Sequence, residues 1–198
     1  MDFQEVVRRR RMVRRYDAER PVPPDMRDRL LANAQRAPSA GFSQGWAFLV
    51  LEDGTDRDRF WSTTRDEGLA DSWLDGMQTA PLLVVALSHK DAYLDRYAEA
   101  DKGWRDRDES HWPVPYWDID TGMAALLMLL TAVDLELAAC FFGVAPHRIA
   151  PLRAEFGVPD AYTPVGVVSV GYPAPDRPSP SLARGRRDPD EVVHHARW

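Results

Sequence analysis

The sequence predicts a protein that combines α-helices with β-strands, in either the α+β or the α/β class. Three short apolar segments, at 46–52, 82–88 and 163–171, have the length and the valine and leucine content of strands. Longer segments with helical spacing of apolar residues precede, separate and follow them. A chain whose strands are interleaved with long helices folds into one of these two classes, and the pattern alone does not choose between them.

Two helices are expected before the first strand. Residues 3–12 form the first, and the second begins after Pro23 and Pro24, because proline is favoured at the start of a helix. Pro38 and Gly41 then break the chain ahead of the strand. The inward side of the second helix is expected to consist of Met26, Leu30, Leu31 and Ala34.

The second half of the chain carries the most apolar segments. The continuous apolar run at 82–88 is typical of a strand covered on both faces. A helix over 118–137 has almost no polar face, so we expect it to be buried on most sides. A short strand at 140–142 and a helix over 146–156 follow. The last segment, 173–198, is expected to be an extended arm, because it opens with prolines at 173, 175, 178 and 180.

Length and composition indicate a single domain over 1–198 and limit the function classes. The formal net charge of -6 disfavours a general nucleic-acid binder, which would be basic overall. Cys140 is the only cysteine, so no internal disulfide is possible and a reducing compartment is expected. The N-terminus lacks the apolar segment of a secretory signal, and the longest apolar run, 123–133, is shorter than the ~20 residues that span a bilayer. We therefore expect a cytoplasmic protein outside the membrane.

An arginine cluster near the N-terminus is the clearest candidate for ligand binding. Any one of these side chains is most simply explained as a solvated helix end, but like charges packed together repel unless an anion lies between them. If the helix continues, Arg10 and Arg14 share one face and can clamp a phosphate. Arg184, Arg186 and Arg187 are candidates for a second wall of that site. The cluster consists of Arg8, Arg9, Arg10, Arg11, Arg14 and Arg15.

Two other patterns are weaker candidates for chemistry. Gly41, Ser43 and Gly45 match the G-x-S-x-G nucleophile elbow, but that motif needs a strand before the serine and a helix after it. Here the order is reversed, so we reject a hydrolase and expect a small-residue turn that approaches a ligand closely. His194 and His195 are adjacent and point apart, so no metal site is expected.

The segment 90–117 is rich in aromatic residues among many charges. One interpretation is an irregular excursion whose aromatic rings fill its own small core. The other is a lid over a flat aromatic ligand, since long loops in compact domains often cover active sites. The sequence favours neither. The residues concerned are Tyr93, Tyr97, Trp104, Trp112, Tyr116 and Trp117.

Four segments, taken in order, resemble the FMN-dependent nitroreductase family. The first is RRMVRRY at 10–16, which is similar to the family's R-R-S-x-R/K-x-F. There the first arginine and the serine hold the FMN phosphate and ribityl chain, and the later cation faces flavin N1 and O2. The resemblance implies that Arg10, Arg11, Met12 and Arg14 bind the cofactor and that Arg14 has the catalytic role. Met12 replaces the serine, which removes one side-chain donor.

The second segment, APSAGFSQGW at 37–46, resembles A-P-S-x-x-N-x-Q-P-W, whose P-S turn packs against the flavin of the partner subunit. Phe42 replaces the asparagine of that motif, and Gly45 replaces its proline. Cofactor contacts are therefore implied for Pro38, Ser39 and Ala40. Substrate contacts are implied for Phe42 and Trp46, and we add Trp104 and Trp112 for the lid interpretation.

The third and fourth segments lie toward the C-terminus. The apolar helix followed by ACFFGV resembles the family's central helix and the segment whose backbone N–H meets flavin N5, which implies contacts from Phe142 and Gly143. SVGYPA at 169–174 and RGRR at 184–187 resemble the family's G-Y-P sequence and closing basic pair. Arg184 and Arg186 would then complete the phosphate site.

The resemblance covers nearly the whole chain and implies both a fold and a reaction. The implied fold is an α+β sandwich, with helices around a mostly antiparallel sheet, in an intertwined homodimer. Two FMN sites lie at its interface, and the arm 173–198 crosses to the partner subunit. The implied reaction is ping-pong hydride transfer from NAD(P)H through FMN N5 to an electron-poor acceptor such as a nitroaromatic or a quinone. The alternatives are a flavin-binding protein with little turnover and, less favoured, a basic-arm nucleic-acid binder.

Overall fold

A computed structural model describes residues 1–65, 72–176 and 178–198. Its strands are β1 (Trp46–Leu51), β2 (Leu82–His89), β3 (Ala138–Phe142) and β4 (Tyr162–Gly171). They form one sheet in the order β1-β2-β4-β3, and every neighbouring pair is antiparallel. The α-helices of the described residues are α1 (Phe3–Arg9), α2 (Pro24–Ala34), α3 (Gly54–Thr64), α4 (Ser72–Met77), α5 (Lys90–Ala98), α6 (Tyr116–Asp134) and α7 (Ile149–Phe156).

Strand β2 explains why helices cover both faces of the sheet. Residues 82–88 are all buried, as the continuous apolar run predicts. Because side chains alternate along a strand, Leu82 and Val84 join one apolar cluster, and Leu83 and Val85 join the other. The predicted covering of this strand on both faces is confirmed.

The two apolar clusters define the layers. On one face, the sheet packs against buried residues of α2 and α6, including Leu30 and Met128. On the other, it packs against buried residues of α3, α4 and α7, including Phe60, Met77 and Leu152. The resulting order is helix, sheet, helix. The predicted α+β sandwich with an antiparallel sheet is therefore confirmed.

The first helix is shorter than predicted, and this changes the arginine cluster. Helix α1 ends at Arg9, and Arg10 has extended backbone angles. Residues 10–16 continue as extended chain, with isolated bridges at Met12 and Tyr16. The expectation of a helix over 3–12 is wrong beyond Arg9. Arg10 and Arg14 are therefore not one helical turn apart, because at ~3.3 Å per residue an extended chain places them ~13 Å apart.

Helix α6 is also less enclosed than predicted. Its buried side consists of small and apolar residues such as Ala124 and Met128, which pack on the sheet and on α2. Its other side leaves Ile119 and Leu126 exposed by 43% and 47%. Of the described helices, it alone is long and apolar enough to pass a membrane-span test, a test that core helices also pass.

Two remaining segments were predicted as irregular. The excursion at 90–117 begins with helix α5 and contains a short 3₁₀ helix at Glu109–His111. The tail contains 3₁₀ turns at Pro180–Arg184 and Pro189–Glu191, and residues 181–198 are all exposed. The tail is therefore exposed from residue 181 onward within one chain, and its role as an arm that crosses to a partner subunit stays a prediction.

Candidate functional site

The extended segment 10–16 lies against the end of the sheet formed by β3. Met12 makes a parallel bridge with Ala139, and the Val13 N–H donates to the Ala139 carbonyl at 3.1 Å. The Phe141 N–H lies 3.4 Å from the Met12 sulfur. The Met12 side chain packs inward against both apolar clusters. A half-buried methionine at this position thus helps to hold the segment against the sheet.

Tyr16 fixes the other end of this segment. Its hydroxyl donates to the Val13 carbonyl at 2.7 Å and lies 2.8 Å from Ser169 Oγ on β4. Burial raises the pKa of this hydroxyl far above its ordinary value, so it stays protonated. A buried hydroxyl with satisfied partners holds its neighbours in one geometry. Arg14 lies between Val13 and Tyr16 and is therefore held from both sides.

The start of the C-terminal arm runs beside the same segment. Tyr16 bridges Pro173, and the Ala174 N–H donates to the Arg15 carbonyl at 3.1 Å. Two residues further on, the Asp176 carboxylate accepts the Arg14 N–H at 3.0 Å. The arm thus places a carboxylate next to the arginine that the sequence singles out.

A pocket of about 620 Å³ opens beside Arg14. Helix α4 supplies one side of it and the arm supplies the other. The close approach of α4 requires glycine at 76, since a Cβ there would lie 2.2 Å from the Arg14 carbonyl oxygen. The lining residues are Arg14, Arg15, Ser72, Trp73, Gly76, Pro175, Asp176, Pro178, Ser179 and Pro180.

A second, aromatic cleft of about 150 Å³ lies at the end of β3. Trp61 stacks on Phe142 with ring centroids 5.6 Å apart, and Trp73 meets the same ring edge-on at 5.6 Å. Gly143 is exposed, and no heavy atom lies within 4 Å of the position that a Cβ would take. Trp73 lines both this cleft and the pocket beside Arg14, so the two are neighbours.

The turn at 38–44 is held rigidly. The Ala40 N–H donates at 2.8 Å to the buried carboxylate of Asp120, and the Tyr93 hydroxyl donates to the same carboxylate at 2.9 Å. Ser39 Oγ accepts the Gln44 N–H at 3.0 Å. Pro38 is exposed at the start of the turn. The turn is therefore held by the hydrogen bond to Asp120 on α6 and by the hydrogen bond between its own residues Ser39 and Gln44.

The same turn presents one large side chain to solvent. Phe42 has a positive φ of 57° and is 76% exposed, so the turn displays its ring outward. Trp46, in contrast, packs against the core cluster under α6. Ser43 Oγ donates to the Ala40 carbonyl at 2.7 Å, and strand β1 follows it, which is the arrangement that argued against a hydrolase.

The aromatic residues of 90–117 pack on one another. Tyr97 lies 4.8 Å from Trp104 and 4.5 Å from Trp112, measured between ring centroids. Tyr93 beneath them is fully buried. Within one chain these rings fill a small core of their own, and a role for Trp104 and Trp112 in covering a ligand stays a prediction.

The predicted phosphate residues are not brought together within one chain. Arg10 is half-buried, and Arg11 shares a groove with Arg9 and Glu136. Arg184 and Arg186 are exposed on the arm. Neither of them lines the pocket beside Arg14.

Sequence reasoning missed the residues that shape the pocket from α4 and from the arm. Trp73, Ser72 and Asp176 belong to none of the quoted motifs, and only the fold brings them to Arg14. The one available signal was the glycine at 76, four residues after Ser72, inside an otherwise helical stretch. An isolated helical glycine indicates close packing.

Helices on both faces of an antiparallel sheet, with a pocket beside Arg14 and an aromatic cleft at the end of β3, define an α+β sandwich with a candidate ligand site. The sequence model described as Nitroreductase family matches residues 7–172, and the chain belongs to that family. The match ends one residue before the arm begins.

Individual proteins agree with this assignment. A relative from Archaeoglobus fulgidus, named "Putative NADH dehydrogenase/NAD(P)H nitroreductase", is 29% identical over 96% of this chain and 94% of its own length. A solved nitroreductase family protein from Clostridium difficile 630 superposes with a TM-score of 0.75 at 23% identity, covering 100% of both chains. The structure described as an FMN-dependent nitroreductase, from Clostridium difficile R20291, has a TM-score of 0.68 at 22% identity and 98% coverage of each chain.

Proposed function

We propose that this protein is an FMN-dependent oxidoreductase of the cytoplasm that transfers hydride from NAD(P)H to an electron-poor acceptor such as a nitroaromatic or a quinone. The observation that carries the proposal is the pocket beside Arg14 and its continuation past Trp73 to Gly143. When bound, FMN supplies a centre at N5 that accepts and donates hydride, so the chain needs no acid–base side chain for that step.

The residues of the pocket suit such a cofactor. A flavin needs an aromatic or apolar wall, a cation near its pyrimidine edge and anion-binding groups for its phosphate. Trp73 offers the wall, and Arg14 offers a fixed cation. Because Arg10 and Arg14 stand ~13 Å apart on an extended chain, they serve opposite ends of one elongated molecule better than a single phosphate.

Arg14 has the electrostatic role in this proposal. Two-electron reduction adds negative charge near flavin N1 and O2, and a preorganised cation stabilises that charge. Half-burial of Arg14 strengthens the effect, because water screens the interaction less than it would at an exposed site. Gly143, with open space around it, leaves room for a nicotinamide or an acceptor to approach the cofactor edge.

The proposal includes a homodimer built on the exposed side of α6. Apolar residues recur there at intervals of three and four, which is the spacing of a helix-packing seam. A partly exposed apolar seam of this length in a helix whose other side is core is typical of an interface. Its exposed residues are Tyr116, Ile119 and Leu126, and its half-buried residues are Met123, Leu130 and Val133.

A dimer would also explain the residues that one chain leaves apart. In the proposed assembly, the arm 173–198 crosses to the other subunit beyond Pro180, the last arm residue that lines the pocket beside Arg14 of its own chain, so that Arg184 and Arg186 complete a phosphate site together with Arg10 and Arg11. The exposed Phe42 and the turn at Pro38, Ser39 and Ala40 then cover the cofactor of the partner subunit. The exposure of Leu182 and Trp198 on the arm supports this arrangement, since large apolar side chains are usually covered.

A flavin-binding protein with little turnover is the second candidate. Two observations favour it: Met12 faces the core where the family has a ligand-binding serine, and the bulky Phe42 stands where the family has asparagine. Both candidates bind FMN. They differ in whether NAD(P)H reduces the bound cofactor.

Titration with FMN and with riboflavin, which lacks the phosphate, tests the cofactor assignment. We expect wild-type protein to bind FMN in preference to riboflavin, and Arg10→Ala to lose about tenfold or more of the FMN affinity while its riboflavin affinity stays unchanged. Arg8→Ala is the control, because Arg8 is exposed and paired with Glu5. Equal affinity of wild type for the two compounds would contradict the phosphate site.

A further inference from the structure

The arm delivers a negative charge into the pocket that the proposed function fills with flavin. Asp176 lines this pocket together with Arg14, and its carboxylate accepts the Arg14 N–H at 3.0 Å. Among the described lining residues, Asp176 is the one carboxylate, and the cations are Arg14 and Arg15. The charge on Asp176 is therefore placed where it opposes Arg14.

Resting on the proposed function, we propose that Asp176 is an electrostatic tuning residue that lowers the midpoint potential of the bound flavin by offsetting the charge of Arg14. It acts through the pocket's field and through the position of Arg14, without a part in the hydride step. A flavin held at a lower potential is the stronger donor of hydride to its acceptor. The arm would thus set the driving force of the second half-reaction.

The geometry supports a charge effect on the pocket. The carboxylate bonds to the backbone N–H of Arg14, and the Arg14 guanidinium instead has its Nη1 3.5 Å from the Met12 carbonyl. No salt bridge among the described residues therefore joins the Asp176 carboxylate to the Arg14 guanidinium. Because they do not neutralise each other by direct contact, both fields reach a ligand in the pocket.

Two buried groups nearby experience both charges. Burial raises the pKa of the Cys140 thiol; Arg14 opposes that rise and Asp176 adds to it. The same opposition acts on the pKa of the Tyr16 hydroxyl, where burial is again the largest cause. A newly formed negative charge in the pocket would be subject to the same pair of opposed effects.

Asp176 also holds the Arg14 backbone through its hydrogen bond, and the test must separate this structural effect from the effect of its charge. Asparagine keeps an acceptor oxygen for the Arg14 N–H and removes the charge. Glutamate keeps the charge. The matched control is Asp188→Asn, because Asp188 is an exposed arm residue whose carboxylate also accepts a backbone N–H, that of Asp190, and it lies outside the pocket lining.

The measurement is the midpoint potential of FMN bound to the full-length protein, by dye-linked anaerobic reduction. We expect Asp176→Asn to favour binding of reduced over oxidised FMN by about tenfold, a rise of about 30 mV for a two-electron couple. Asp176→Glu and Asp188→Asn should keep the wild-type potential. If Asp176→Asn does not fold, Asp176→Ser, whose hydroxyl also accepts a hydrogen bond, is expected to give the same rise.

Each outcome decides one point. A folded Asp176→Asn protein with the wild-type potential, or a lower one, overturns the inference and leaves the proposed function intact. An equal rise in Asp188→Asn also overturns it, because the effect would then be a general one of net charge. Wild-type protein that binds no FMN overturns the proposed function, and the inference with it.

Discussion

Arg14 is placed by the backbone on either side of it. Val13 bonds to β3, and the Tyr16 hydroxyl ties the segment to both Val13 and Ser169. A half-buried arginine between two such anchors is a preorganised charge, which is the property that electrostatic catalysis requires. Its value to the proposed reaction lies in the difference between its interactions with reduced and oxidised flavin.

Replacing Arg14 by alanine tests that difference. We expect the midpoint potential of bound FMN to fall, because the negative charge of the reduced state loses its fixed cation. A loss of about tenfold in relative affinity for reduced FMN corresponds to about 30 mV. Arg8→Ala, measured in parallel, should leave the potential unchanged. An unaltered potential in Arg14→Ala would remove the catalytic assignment.

At the scale of elements, helix α4 and the arm build the pocket around the segment 10–16. Gly76 permits α4 to approach the Arg14 carbonyl, and Trp73 on the same helix faces both the pocket and the cleft. Strand β3 ends at Phe142, so Gly143 follows at the edge of the sheet. The site therefore depends on three separate elements, which are helix α4, the end of strand β3 and the start of the arm.

The closeness of α4 gives a prediction about stability. We expect Gly76→Ala to lower the free energy of unfolding by about 1–3 kcal/mol and to weaken FMN binding, because the added Cβ displaces the Arg14 backbone. Gly54→Ala is the matched control, since Gly54 is exposed at the start of α3 and an added Cβ there would make only an ordinary contact, 3.9 Å from the Arg57 side chain. Chemical denaturation of both variants measures the contrast. Equal stability of the two would show that α4 does not press on Arg14.

Elements with strong local patterns could be predicted from the sequence. The apolar runs of β2 and β4, the proline-led start of α2 and the order of the quoted motifs all carry local signals. The end of α1 could not be predicted. Its arginines suit a helix locally, but bonds to β3 and to the arm, far away in the chain, hold residues 10–16 extended.

The candidate site likewise contains some residues that the sequence predicts and others that it does not. Arg14 and Gly143 lie in quoted motifs, so sequence reasoning reaches them. Trp73 and Asp176 enter the pocket through tertiary contacts alone. Helix α6 is less buried than its composition predicts, because an apolar composition does not show which side of the helix packs against the core.

At the scale of the whole molecule, the exposed side of α6 and the unpacked arm are best explained by a second subunit. Ile119 and Leu126 occupy one side of a helix whose opposite side is fully engaged. Residues 181–198 are exposed and carry Arg184 and Arg186, two of the four arginines proposed for the phosphate site. In the proposed assembly, one chain supplies the fold and two chains together complete the site.

A charge in the seam of α6 tests this assembly. We expect Leu126→Glu to convert a dimer into monomers and to weaken FMN binding at least tenfold, because buried like charges would face each other across the interface. Ala154→Glu on the exposed side of α7 is the control and should remain dimeric. Analytical ultracentrifugation measures the mass. A wild-type monomer that binds FMN fully would contradict the shared site.

The central claim is that bound FMN is reduced by NAD(P)H and reoxidised by an acceptor, and anaerobic double-mixing stopped flow tests it most directly. The flavin absorbance of the FMN-loaded protein should bleach on mixing with NADH or NADPH. It should then return on mixing with a quinone or a nitroaromatic compound. Flavin that stays oxidised with both nicotinamides would contradict the account and favour the flavin-binding protein with little turnover.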